Sequence, residues 1–137
     1  MVKNIVHDPI FLAQKSEPAT EADAGVIKDL VDTLKANEAE CVGMAANMIG
    51  VKKSIIAINV GIGQLVMINP KIVSKNKPFM TTEGCLSLAG EPKETKRYFE
   101  IEVEYLDREF KPQKQKYSGW SAQIIQHEID HCNGVLI

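Results

Sequence analysis

Residues 126 to 131 read QHEIDH, and this stretch constrains the fold more than any other. On a helix with 3.6 residues per turn, His127 and His131 project from one face a turn apart, with Glu128 beside them. That is the H-E-x-x-H pattern, in which two imidazoles hold a divalent metal and the glutamate can act as a base. Only Cys132 to Ile137 follow. Any further protein ligand must therefore come from upstream, so the fold has to pack this C-terminal helix against an earlier part of the chain.

Composition limits what that earlier part can be. A chain of 137 residues, 45% hydrophobic and 25% charged, suits a single domain with its own core, and one domain over residues 1–137 is expected. The formal net charge of −2 and the lack of a long Lys or Arg run argue against a nucleic-acid partner. The N-terminal MVKNIVHDPIF is broken by His7, Asp8 and Pro9, and no segment reaches membrane-spanning length. A cytoplasmic protein with no membrane association is expected. Three cysteines, Cys41, Cys85 and Cys132, without a secretory signal, argue against a disulfide framework.

The pattern of elements is α+β: small mixed or antiparallel sheets packed around the motif-bearing C-terminal helix, with an amphipathic helix nearer the N-terminus. Thr20 followed by Asp23 marks a helix start, and Ile27, Leu30, Val31 and Leu34 recur at i, i+3, i+4 and i+7, predicting a helix over about 21–38. SIIAINV (54–60) and LVMIN (65–69) flank Gly61 and Gly63, which predicts two paired strands joined by a glycine turn. In YFEIEVEYL, Phe99, Ile101, Val103 and Tyr105 alternate with Glu100, Glu102 and Glu104, the pattern of a strand with one solvated face. The last helix is predicted to start near Ser118 or Ser121 and to stop at Asn133-Gly134.

Several residues compete for the missing ligand. Cys85, in TTEGCLSL, follows a glycine between structured segments, and its thiolate would give a Cys-His-His set with one position open for water. Cys132 is one residue past His131, about 100° around the helix, and is poorly aimed. His7 has no positioning signal. Cys41, before Val42-Gly43 in CVGMAANMIG, remains a candidate, although a buried thiol lining a turn is the simpler reading. Ile124, one turn before His127, gives the site a partly apolar floor that strengthens electrostatics.

Taken together, CVGMAANMIG, EGCLS and QHEIDH, in this order and with Asp8-Pro9 near the N-terminus, resemble the three signature motifs of the peptide deformylases, G-x-G-x-A-A-x-Q, E-G-C-x-S and H-E-x-x-H. The resemblance spans nearly the whole chain. It implies that Cys85, His127 and His131 hold one divalent metal, Fe2+ first, with Zn2+ or Ni2+ able to replace it, and that Glu128 is the general base. Arg97 stands where the family has an arginine that steadies the motif glutamate, here Glu83. The implied substrates are N-formylmethionyl nascent peptides, met near the ribosome, with formate released. The backbone amide of Leu86 would be one donor to the developing oxyanion, and an apolar pocket involving Val42 and Ile124 would take the methionine side chain.

Two positions depart from the family pattern. Gly43, Ala45 and Ala46 match the first motif, but Cys41 stands at its first glycine and Met48 at its glutamine. That glutamine donates a hydrogen bond to the oxyanion, which a thioether cannot do. Two readings follow. One is a metal-dependent deformylase, slowed at this position; the other is a deformylase-like protein with weak or no turnover that keeps the metal and binds N-terminal methionine peptides.

Overall fold

The computed structural model describes residues 1–61, 63–85 and 88–136, with the backbone alone at 85 and 88–91. A short helix α1 (Pro9–Leu12) is capped by Asp8, whose side chain accepts from the Ile10 amide, with proline at the first turn. Next, a 3-10 turn over Glu21–Asp23 leads into α2 (Ala24–Ala36), and the Thr20 amide donates to the Asp23 carboxylate. The helix read from sequence is present, with its first turn tightened to 3-10 and its last turn ending at Ala36. Its buried stripe includes Ile27, Leu30, Val31 and Leu34, the four periodic positions.

Strands β1 (Gly43–Ala45), β2 (Ile55–Asn59), β3 (Gln64–Cys85), β4 (Leu88–Leu106) and β5 (Pro112–Ser118) form one sheet in sequential order. Every pairing is antiparallel. Of the mixed or antiparallel alternatives, the antiparallel one holds, in a single sheet. The β2–β3 turn contains Gly61 at φ +90°, a conformation that glycine adopts at no steric cost. Beyond LVMIN, β3 runs on through a register shift at Pro70, where a proline cannot donate to the ladder. The preceding Asn69 adopts φ +52°, and its side chain bonds both the amide and the carbonyl of Ala19.

Two cores lie on opposite faces of β2. Ile55 and Ala57 pack with Leu30, Val31 and Leu34 of α2, whereas Ile56 and Ile58 pack with Ala122, Ile125 and Ile129 of the last helix, α3 (Gly119–Cys132). A strand covered on both faces has to be apolar at every position, which is why SIIAINV shows no alternation. In β4, Ile101 and Val103 are buried under α3 while Phe99, on the same face by parity, stays 45% exposed with its ring near Gly119 at the start of α3. Polar β5 closes one edge of the sheet, where Lys114 and Lys116 discourage pairing with another chain. Among the described residues no helix is long and apolar enough to cross a membrane.

Candidate active site

Helix α3 carries most of the site. Ser118, extended at φ −141°, precedes it, and Asn133 and Gly134 end it, Gly134 at φ +76° with its Cα face against the Ala13 carbonyl. Trp120, Gln123, Ile124, His127 and Glu128 follow the i, i+3, i+4, i+7, i+8 rhythm of one face, and all line a cavity of about 360 Å³. The opposite wall comes from Cys41, Val42, Gly43 and Met48, and Thr81, Thr82 and Glu83 at the end of β3 close a third side.

At Gly43 the two walls touch. A Cβ there would fall 2.7 Å from Ile124 Cγ2 and 3.0 Å from Glu128 Oε2, so only glycine lets β1 approach α3 this closely. Ile124 is buried as the apolar floor, and Val42 sits half-exposed at the mouth with Trp120, which is 61% exposed.

The imidazoles are oriented by a buried ionic network. Arg97 donates from Nη2 to Glu83 Oε1 at 2.7 Å, from Nε to Glu83 Oε2 at 3.0 Å, and from Nη1 to Asp130 Oδ2 at 2.6 Å. Glu83 also accepts from Gln123 Nε2 at 2.9 Å and pairs with His127 Nδ1 at 2.7 Å. Burial alone would raise the Glu83 carboxyl, but the hydrogen bonds from His127, Arg97 and Gln123 outweigh it and hold the group at about 2. An ionised carboxylate can only accept. His127 Nδ1 is therefore the donor, and in the neutral ring its Nε2 carries the lone pair.

His131 Nε2 faces that atom at 3.0 Å, with the rings 68° apart. Burial, reinforced by repulsion from His127 and Arg97, pushes His131 down to about 3. Two ring nitrogens converging at this separation fit the demands of a divalent cation, which takes imidazole lone pairs. Among the described residues no third His, Cys, Asp or Glu completes a ligand set. The backbone of Cys85 ends β3, paired with Leu88, but its side chain and the whole of Leu86 lie outside the described residues.

Glu128 lies next to the imidazoles, 4% exposed, and its Oε1 has no hydrogen-bond partner among the described residues. Burial pushes its carboxyl up to about 7 against the opposing pull of His127. Met48 is 1% exposed and turns its sulfur to accept from the Ala45 amide at 3.5 Å. Cys132 is a packed core thiol, raised by burial to about 12. Cys41 borders the cavity with Sγ 2.6 Å from the Gly43 carbonyl oxygen, and His7 is exposed.

Sequence reasoning missed Gln123, Asp130 and Trp120. All three carried a helical-spacing signal: Gln123 lies four residues before His127, Trp120 four before Ile124, and Asp130 inside the motif three after His127.

A buried acid beside two converging imidazoles on one helix, packed on an antiparallel sheet, defines a metal-dependent hydrolase of the H-E-x-x-H class. The sequence pattern of the family described as polypeptide deformylase matches residues 2–137. A peptide deformylase of Clostridium beijerinckii is 58% identical over 137 residues, covering all of both chains, and one of Thermoanaerobacter pseudethanolicus is 41% identical over 91% of this chain and 79% of its own. Among solved structures, a peptide deformylase from Legionella pneumophila superposes with a TM-score of 0.88 at 34% identity, covering 99% of this chain and 83% of that one. The enzyme from Thermotoga maritima gives 0.88 at 30% identity, covering 99% and 95%. The chain belongs to the polypeptide deformylase family, whose members are metalloenzymes.

Proposed function

We propose that this single domain, residues 1–137, removes the N-formyl group from formyl-methionine at the start of nascent polypeptides in the cytoplasm, releasing formate, with His127, His131 and Cys85 as metal ligands and Glu128 as general base. The observation that carries this reading is the buried, unpartnered Oε1 of Glu128, set in a cavity beside two converging imidazole nitrogens. A divalent cation, Fe2+ in our reading, supplies Lewis acidity when bound, both acidifying water and polarising the formyl carbonyl.

The chain's own residues do the rest. Glu128, with its carboxyl near neutrality, accepts a proton from the attacking water and returns it to the departing methionine amine. His127 is held in one tautomer by Glu83, which Arg97 and Gln123 keep ionised and in place. Ile124 and Val42 border the space for the methionine side chain, and Gly43 leaves room for substrate backbone and for Glu128 at once. The Leu86 amide serves as oxyanion donor.

A second reading, a binding protein with little turnover, is favoured by Met48. Its sulfur takes up the Ala45 amide and offers the substrate carbonyl no donor. Formate release from a formyl-methionyl peptide by anaerobically purified, iron-loaded protein decides between them. Turnover supports the enzyme; tight binding of N-terminal methionine peptides without formate supports the binding protein.

A further inference from the structure

One buried polar side chain takes no part in the chemistry above. Asn47 lies in the 3-10 turn Ala46–Ile49 after β1, with no exposed surface. Burying an amide is costly unless its hydrogen bonds are made. Its Nδ2 donates to the backbone carbonyl of His131 at 2.9 Å, across 84 residues of sequence. The helix end does not require this bond, because the Gly134 amide already donates to that carbonyl at 3.0 Å.

The other ends of the two side chains are complementary. Asn47 Oδ1 and His131 Nδ1 are both buried, and neither has a hydrogen-bond partner among the described residues. Oδ1 is an acceptor. In a neutral imidazole that offers its Nε2 lone pair, Nδ1 carries the proton and is a donor. Metal-binding histidines almost always donate their other ring N–H to an acceptor that sets tautomer and ring angle. Glu83 does this for His127. For His131 the available acceptor is on the residue that already grips its carbonyl, and a buried donor and acceptor of this kind can share one water.

We propose that Asn47 is a positioning residue for His131: its amide nitrogen holds the histidine's carbonyl, and its Oδ1, through one water, holds the Nδ1–H tautomer that leaves the Nε2 lone pair for the cation it would share with His127. The proposal rests on the reading of His131 as a ligand.

The test uses zinc-loaded full chain, comparing wild type with Asn47→Leu, Asn47→Asp and His131→Ala. Zinc affinity is measured by chelator competition, the His131 Nδ1–H by long-range proton–nitrogen spectra, and folding by thermal unfolding of the zinc-free protein. Asn47→Leu weakens zinc binding about 10- to 100-fold and loses the slowly exchanging Nδ1–H signal. Asn47→Asp keeps the acceptor and the signal, but sets a carboxylate against the His131 carbonyl and binds zinc several-fold more weakly. A lowered unfolding temperature with zinc affinity and the Nδ1–H signal unchanged makes Asn47 purely structural and overturns the proposal. If Asn47→Leu does not fold, wild-type affinity in Asn47→Asp overturns it equally. Undiminished zinc binding by His131→Ala would instead remove the ligand assignment beneath it.

Discussion

The two walls of the cavity are built on opposite plans. On the α3 side, Glu83, Arg97, Gln123, Asp130 and His127 form a closed network in which both oxygens of Glu83 are bonded. On the β1 side, Cys41, Val42, Gly43 and Met48 present thiol, thioether and aliphatic groups. In the function proposed, the first wall orients the groups that hold a cation and move a proton. The second, where the family pattern places a glutamine that donates to the oxyanion, carries Met48 at that position and comes close to α3 at Gly43. One wall is constrained by buried charge, the other chiefly by space.

The sharpest break in that contrast comes from the proposed third ligand. Cys85→Ser should strip the metal, whereas Cys132→Ser, at a packed core thiol, should leave about one metal per chain. Elemental analysis of the purified variants separates them, and equal metal contents would take Cys85 out of the ligand set.

Next in size is the network itself. Arg97→Leu leaves Glu83 and Asp130 without their shared cation, and removing one partner of a buried ion pair destabilises by about 3–5 kcal/mol. Urea unfolding should show a loss of that order. A change below about 1 kcal/mol, the range of exposed pairs, would mean that water screens this wall after all.

The smaller effect lies on the apolar wall. In Met48→Gln, the amide oxygen takes over from sulfur as acceptor of the Ala45 N–H, and the amide nitrogen supplies the absent donor. A gain in kcat of roughly 10- to 100-fold is expected, since such a donor acts chiefly in the transition state. Met48→Leu, similar in volume, should change little. If Met48→Gln slows the reaction, another group stabilises the oxyanion.

The same asymmetry governed what could be read from sequence. Helix α3 was legible from its motif and its Asn133-Gly134 stop, because both are local. Strand β2 and the start of β3 were legible as apolar runs around a glycine turn. Strand β5 was not: PQKQKYS is exposed along nearly its whole length, so no hydrophobic pattern marks it. The length of β3 was hidden by Pro70, which reads as a strand end and is absorbed by a register shift. Phe99 looked like core by alternation, but stays half-exposed near the start of α3, where cover by the helix is incomplete. In the site, Glu83 and Arg97 were named through a family resemblance rather than through any local signal. Asn47 was invisible, since its partner is a backbone carbonyl 84 residues away, and backbone groups carry no sequence signature.

In the proposed mechanism the α3 wall separates holding the cation from moving the proton, with Glu128 doing only the second. The direct measurement is metal content and formate release of Glu128→Ala, purified and iron-loaded anaerobically beside wild type. The account predicts about one metal per chain in both proteins, with formate release reduced by at least the 10²- to 10⁴-fold typical of a lost general base. Loss of metal from Glu128→Ala would show the carboxylate to be a ligand, and undiminished formate release would contradict the mechanism.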